Sequence, residues 1–423
     1  MVLCICGSEG YPHGFGATAR ITLVGKAVQA AGLKFHILHC GPSPLVENTR
    51  MRGIHEGISF EYTTSVTRPK NRVARLLVYA RAAMGLTLKL VRLRVAGEHI
   101  TVYLYTMSGL LNLIAGLLCQ CLGISVIQEI CEWWLEDPHV SALTRWLFRG
   151  RMFRAATGLL VISREIEHRA RERAAKTNPR LAIYRLPTVV DINRFAVAHP
   201  PSPPAENYMA NFVWCGTIDG WLPDVMFLLS ALARARQASS CQLTLIGSYS
   251  DANAAAIKQQ AASLGLSVVD RRSRSANGNG LLSGDVCLAG WVDEATLLAY
   301  FRDAAALLLP LWDDVRSKTR MPNKLGEYLA SGKPVITCRV GDLTDFLVDG
   351  VNASLAKPGD HRDFADRMLA ILDDPEMAAR IGAAGRQICA QRLDYRAHAR
   401  GLAEFFEDCL KQPAHLRAEG SSV

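Results

Sequence analysis

Ala304-Ala305-Ala306-Leu307-Leu308-Leu309-Pro310 is apolar at every position up to the proline that ends it. A strand with one wet face alternates apolar and polar residues, so a run without alternation is buried on both faces. Helices above and below a sheet cover such a strand, as in α/β folds. The residues that follow supply one of those helices. Trp312 to Met321 reads as a polar loop, and Pro322 suits a first helical position. Met321, Leu325, Tyr328 and Leu329 recur at core-facing spacing. Ser331-Gly332 closes the helix, and Lys333-Pro334-Val335-Ile336 leads into the next strand.

This helix carries chemistry. Lys324 and Glu327 are three residues apart and share a face in its first turns. The helix begins beyond the carboxyl end of a strand, the edge at which open α/β sheets bind ligands. Free amides at a helix start favour an anion, and Lys324 adds a full charge. A carboxylate one turn deeper accepts hydrogen bonds from a diol. Phosphate plus diol describes a nucleotide. The competing reading is an ordinary i,i+3 ion pair on a surface helix.

The chain opens in the same style. Val2 to Cys6 reads as a buried strand, Ala17 to Ala31 as an amphipathic helix and Phe35 to His39 as a second strand. Gly14-Phe15-Gly16-Ala17-Thr18-Ala19 satisfies GxGxxA. A dinucleotide site also wants an acidic residue after the second strand and a tighter first loop; Cys40-Gly41 stands there instead. Ser108 to Ile127 holds no charge, yet Gly109, Gly116 and Gly123 divide it, so it reads as buried helix, turn and strand rather than a membrane span. Gln128-Glu129-Ile130-Cys131-Glu132-Trp133-Trp134 follows that strand's carboxyl end. His199-Pro200-Pro201-Ser202-Pro203-Pro204 is a linker by composition, and a second α/β run follows with strands at Phe212 to Cys215 and Gln242 to Ile246. Arg271 to Gly284 reads as a polar insertion, and Asp360 to Ala390 as helical.

Arg320-Met321-Pro322-Asn323-Lys324-Leu325-Gly326-Glu327-Tyr328 resembles a signature of the retaining glycosyltransferases of family four, which have the GT-B fold. The resemblance implies two Rossmann-like, doubly wound α/β domains facing a central cleft. Their boundaries fall at 1–195 for an acceptor-binding domain, 196–210 for the linker and 211–393 for a nucleotide-sugar-binding domain. The remainder, 394–423, is a helix crossing back to the first domain plus a tail. The usual motif has two glutamates; Glu327 matches the second, and Thr319 stands where the first would fall. By resemblance, Glu327 holds the donor ribose, while Arg320, Lys324, Lys318 and Asn323 face the donor. Gly14, Gly16, Gly216, Trp291 and Val292 complete the donor side. Arg20, Glu129, Glu132 and Trp133 form the acceptor side, with Glu129 where many members have a histidine. Glu129, Lys324 and Arg320 are the expected catalytic groups. Trp221-Leu222-Pro223-Asp224 occupies the place of an Arg and a Lys that grip the pyrophosphate in many members. The implied reaction moves a sugar from a UDP- or GDP-linked donor to a glycan or lipid-linked acceptor, with retention and without a metal or cofactor. It would serve cell-surface polysaccharide or glycolipid synthesis. Asp313-Asp314 is not expected to bind metal. A nucleotide-sugar epimerase of similar fold and a non-catalytic nucleotide-sugar-binding subunit are the alternatives.

Composition bounds the partners. Apolar residues at 49% and charged residues at 21% indicate a folded globular chain. Net charge +9 favours anionic partners, but the aromatics do not line up with basic residues as in a nucleic-acid module. Twelve scattered cysteines without a CxxC pattern predict a reduced, cytoplasmic setting, and Met1 onward lacks the basic start of a signal peptide. Arg68 to Arg94 carries eight basic residues and no acid, interleaved with Leu76, Leu77, Tyr79, Met84 and Leu88. Arg145 to Arg154 is a second such segment. Both read as basic amphipathic helices for an anionic membrane, here the inner face of the plasma membrane, with Trp146, Phe148 and Phe153 reaching the headgroups.

Overall fold

The computed structural model describes residues 1–7, 9–106, 108–136, 140–195, 209–273 and 284–411. It divides into two compact units, one of Met1–Val189 with the segment from Tyr395 onward, the other of Val190–Asp394. Nearly all of the expected linker (196–208) and most of the polar insertion (274–283) lie outside the described residues.

The first unit is built on eight strands: β1 (Val2–Cys6), β2 (Phe35–His39), β3 (Arg52–His55), β4 (Ile58–Tyr62), β5 (Thr101–Leu104), β6 (Ser125–Ile130), β7 (Gly158–Val161) and β8 (Ala182–Arg185). They run in the order β3-β4-β2-β1-β5-β6-β7-β8. All neighbours are parallel except β3 and β4, an antiparallel hairpin paired from Arg52↔Glu61 to His55↔Ile58. The helices are α1 (Gly16–Ala30), α2 (Arg72–Val95), α3 (Gly109–Cys121), α4 (Ala142–Ala155) and α5 (Arg164–Thr177). Successive residues of β1 go to opposite cores, as a strand's pleat dictates. Leu3 and Ile5 pack with Leu86, Leu90 and Ala115, whereas Val2, Cys4 and Cys6 pack with Val24 and Val28. The charge-free stretch resolves into α3, a turn at Gly123 (φ 65) and β6. No helix among the described residues is long and apolar enough to cross a membrane. Phe148 and Phe153, expected at headgroups, are fully buried; only Trp146 of that group is exposed.

The second unit carries β9 (Ala210–Cys215), β10 (Cys241–Ile246), β11 (Val268–Asp270), β12 (Val286–Gly290), β13 (Ala306–Leu309), β14 (Val335–Cys338) and β15 (Ser354–Ala356), all parallel, in the order β11-β12-β10-β9-β13-β14-β15. The chain builds outward from β9 on one side and restarts at β13 on the other, so β9 and β13 flank the topological switch point. Its helices are α6 (Leu222–Ala235), α7 (Asp251–Ser263), α8 (Glu294–Asp303), α9 (Val315–Thr319), α10 (Asn323–Ala330), α11 (Leu343–Phe346), α12 (His361–Asp373) and α13 (Pro375–Arg392). Three sequence expectations are corrected here. The loop before Met321 contains a short helix, α9, capped by Asp314, whose side chain accepts from the Ser317 amide at 2.7 Å. Pro322 is the cap of α10 rather than its first helical residue, with φ −62 and ψ 130. The region Asp360 to Ala390 holds two helices, because Asp374 caps a fresh start at Pro375.

The last helix, α14 (Ala399–Lys411), belongs to the first unit. Leu402, Phe405, Phe406 and Cys409 form its buried stripe and enter the core of Val24 and Val28. A Cβ at Gly158 would lie 2.7 Å from Cys409 Sγ and 2.8 Å from the Phe405 ring, so only glycine lets α14 seat against β7.

Candidate functional site

The site in the second unit forms where β9 ends and α10 begins. Gly216, just past β9, leaves room that the Lys324 side chain fills; a Cβ there would run into the Lys324 ammonium. That ammonium lies 4.2 Å from the centre of the Trp214 indole. Burial lowers the Lys324 pKa to about 8, aided by Arg320 and opposed by Cys215, Asp224 and Glu327. The Gly216 amide donates to Ile246 O (2.8 Å) and the Gly247 amide to Gly290 O (2.8 Å), tying the ends of β9, β10 and β12 together. Tyr328 anchors α10 from below, its hydroxyl accepting from the Cys215 amide at 2.8 Å.

Glu327 sits one turn after Lys324, half-buried, and its carboxylate has no hydrogen bond or ion pair among the described residues. The ordinary ion pair with Lys324 is therefore not formed. Burial raises the Glu327 pKa against the pull of Arg194 and Lys324. Arg194 is itself held by Glu294, at 2.7 Å. An unpaired carboxylate beside an unpaired ammonium is costly unless a ligand completes both.

The third component is Trp221. Arg320 lies over its indole at 3.8 Å and Arg316 at 4.0 Å from the ring centre. α9 makes this possible, because residues 316 and 320 stand one turn apart. The indole that occupies the place of two cations thus gathers two others. Arg316 was missed in the sequence; its i,i+4 relation to Arg320 was the available signal, hidden by the reading of 312–321 as loop. Asp224 is held by Trp312, whose indole N–H donates to it at 2.9 Å.

The remaining expected residues fall as follows. Asn323 opens α10. Lys318 is paired with Asp313 at 2.6 Å on the surface, so Asp313 and Asp314 serve an ion pair and a helix cap respectively. The Thr319 hydroxyl bonds back to Val315 O at 2.9 Å, closing that position inside α9. Trp291 and Val292 follow β12, and Trp291 is 76% exposed. Gly14 and Gly16 belong to the first unit, exposed before and at the start of α1.

Arg20 and Glu129 are brought together in the first unit, as a buried ion pair only 3% and 4% exposed. Arg20 also donates to Pro187 O (2.7 Å) and Leu186 O (2.9 Å). Glu129 further accepts from the Tyr103 hydroxyl and, at 3.3 Å, from Cys131 Sγ. Burial alone would lower the Arg20 pKa, but Glu129 holds it above the ordinary value. With its oxygens taken, Glu129 is closed to solvent in this structure and ties α1 to β6. Trp133 is buried edge-on against Phe148, with the Arg169 guanidinium 5.7 Å from its ring, so it packs the core. Glu132 remains half-buried in the turn after β6.

Residues 210–374 match the family described as glycosyl transferases group 1. Among curated relatives, a D-inositol 3-phosphate glycosyltransferase of Thermobifida fusca is 30% identical over 118 residues, 28% of this chain and 26% of that protein. An uncharacterized glycosyltransferase of Methanocaldococcus jannaschii is 27% identical over 82 residues, 19% of this chain and 23% of that protein. The chain thus spans about a quarter of the length of the curated relatives it matches. Solved structures align far more widely. Sucrose-phosphate synthase from Thermosynechococcus elongatus covers 96% of this chain and 98% of its own, at 16% identity and a TM-score of 0.71. HepE of Anabaena, solved with UDP and glucose, covers 96% and 100%, at 14% identity and a TM-score of 0.68. The fold is therefore that of the GT-B glycosyltransferases, and the domain that matches the group 1 glycosyl transferases is the one that carries Lys324 and Glu327.

Proposed function

We propose that this chain transfers a sugar from a nucleotide-diphosphate donor to an acceptor held by the first domain, with retention of configuration. The observation that carries the reading is the α10 face, where an unpaired ammonium and an unpaired carboxylate sit one turn apart at the switch point of a parallel sheet. Lys324, with Arg320 and Arg316 on Trp221, would meet the diphosphate. Glu327 would accept the two ribose hydroxyls. As the sugar–oxygen bond breaks, charge grows on the leaving phosphate, and fixed cations nearby lower that barrier. In a front-face reaction the acceptor hydroxyl attacks the same side of the sugar, and its proton passes to the leaving phosphate oxygen. No protein nucleophile is needed. The HepE structures with UDP and with UDP-glucose are in keeping with such a donor.

We further propose a lipid-linked acceptor and docking on an anionic membrane. Helices α2, α3 and α4 pack side by side and expose Leu76, Leu77, Met84, Leu110 and Trp146 among arginines. A glycan product in cell-surface polysaccharide or glycolipid synthesis fits that setting.

The test is a thermal-shift screen of UDP, GDP and their sugar conjugates. A ligand at about 100 times its Kd stabilises by about 2.7 kcal/mol. A shift with one nucleotide series, followed by transfer of its sugar to a lipid extract with the donor's anomeric configuration retained in the NMR spectrum, is the expected result. No shift with any nucleotide would remove the reading.

A further inference from the structure

The carboxyl edge of the first sheet has a cavity of its own, of about 340 Å³. It opens beyond the ends of β1 and β2, at Gly7 and Cys40, and beyond β5, at Ser108. β1 lies between β2 and β5, so this is the switch point of that sheet, the crevice where open α/β sheets receive ligands. What lines it is unusual for a sugar site. Apolar side chains make most of the wall, Pro42, Tyr79, Ala83, Leu111 and Ile114 among them. Besides Tyr79, the polar side chains are Arg68 and Ser108, and no carboxylate lines it among the described residues. The Ser108 hydroxyl is already used, capping α3 through the Leu111 amide at 3.3 Å. Arg68 is exposed and makes no ion pair among the described residues. A hydroxyl-rich sugar would leave most of its hydrogen bonds unmade on such a wall.

The rim continues the character of the wall. Tyr79 and Leu110 line the cavity and are also 41% and 59% exposed. Leu76, one turn before Tyr79, is 71% exposed. Only Ala82, Leu86 and Leu90 of the 24 residues of α2 are buried, so its first two turns overhang the opening without a core of their own. Arg68, which lines the cavity, is followed by Lys70, Arg72 and Arg75 into the start of α2, with no acid in that stretch. An apolar cavity under a cationic rim selects an amphiphile with an apolar chain and an anionic head.

We infer that this cavity takes the hydrocarbon chain of a phosphorylated lipid acceptor, with its phosphate at Arg68. The inference rests on the transfer reading above, and names the class of acceptor for it.

The experiment uses the full chain and two probes below their micellar range, dodecyl phosphate and butyl phosphate, titrated by calorimetry. Each buried methylene contributes about 0.8 kcal/mol, so dodecyl phosphate should bind at least about a hundredfold tighter. Ala83→Phe, which fills the cavity, should lower dodecyl phosphate affinity at least tenfold. Arg68→Glu, an exposed change that leaves packing alone, should weaken both phosphates and leave a neutral dodecyl glycoside unaffected. UDP binding to wild type and to both variants reports on folding and on the second domain. Chain-length preference without any UDP binding would sink the transfer reading and keep the cavity. Intact UDP binding with equal affinity for the two phosphates would overturn the cavity inference alone. Undiminished dodecyl phosphate binding in both variants would mean adsorption to exposed α2 residues, and would overturn it too.

Discussion

Lys324 rests its ammonium 4.2 Å from the centre of the Trp214 indole, and not on the Glu327 carboxylate one turn away. The arrangement keeps a cation half-buried and unpaired. Its pKa is lowered to about 8 from an ordinary 10.5. Below about 8 both the folded and unfolded chains carry the proton, and the folded chain bears the full cost. Between 8 and 10.5 the unfolded chain binds more protons, so stability should rise with pH across that window. Lys324→Met should melt at or above wild type at neutral pH and lack that rise, while losing UDP affinity by about 1.5–3 kcal/mol. Urea unfolding of the two proteins from neutral to alkaline pH checks the first part and calorimetry the second. A destabilised variant with a wild-type pH slope would assign Lys324 to the fold.

Glu327 carries the opposite charge and the same kind of debt. Burial raises its pKa above the ordinary 4.5, so the folded chain holds the proton more readily than the unfolded one. Its stabilising share is therefore present at acid pH and lost as pH rises through the raised value. Glu327→Gln should be at least as stable as wild type at neutral pH. Donor affinity should fall by about 1.5–3 kcal/mol, the range for hydrogen bonds to a charged group. Unchanged nucleoside affinity would take Glu327 out of the site.

The stack on Trp221 separates phosphate from nucleoside. Arg316→Ala and Arg320→Ala should each weaken UDP more than uridine, because only UDP has the diphosphate. Trp221→Ala frees both guanidiniums and should weaken UDP as well, since each loses a cation–π contact of about 0.5–2 kcal/mol. Equal losses for UDP and uridine would show that the stack supports the loop only.

These residues also mark where the sequence was readable. Short unalternated apolar runs such as Ala304 to Leu309, ended by Pro310, read as doubly covered strands because they are too short for a buried helix. Lys324 and Glu327 declared themselves because a helix fixes the spacing of its own side chains. What a residue meets across the fold is not encoded in its spacing. Arg20 and Glu129 lie 109 positions apart, and nothing local says that they saturate each other. The β3–β4 hairpin also escaped, though Glu56-Gly57 adopts the left-handed turn (φ 46 and 82) that two-residue hairpins prefer. β4 alternates cleanly, with Ile58, Phe60 and Tyr62 buried, but its partner Arg52-Gly53-Ile54-His55 is short and largely exposed and carries no apolar run.

The Arg20–Glu129 pair yields a prediction of its own. Breaking one partner of a buried ion pair leaves the other charge uncompensated, at about 3–5 kcal/mol. Glu129→Gln should therefore lower the unfolding free energy by that order, and Arg20→Met by a similar amount. UDP affinity should not change, because both residues lie in the first unit. A Glu129→Gln protein of wild-type stability that binds UDP yet transfers no sugar would restore Glu129 to the chemistry.

The last prediction concerns the exposed face of α2, α3 and α4. Each Lys or Arg close to an anionic bilayer contributes about 1 kcal/mol, and salt screens it away. Purified protein should co-sediment with phosphatidylglycerol vesicles at low ionic strength, and not with phosphatidylcholine vesicles. Arg149, Arg151 and Arg154 are exposed on α4, so changing the three to Glu leaves its buried Leu147, Phe148, Met152 and Phe153 untouched. That variant should stay in the supernatant and still bind UDP. Leu76→Gln with Leu77→Gln removes apolar area but no charge, and should weaken binding in a way that low salt only partly restores. If both variants sediment like wild type, the contact is made elsewhere. If wild type itself stays in solution with anionic vesicles, the acceptor must reach the enzyme without a bilayer.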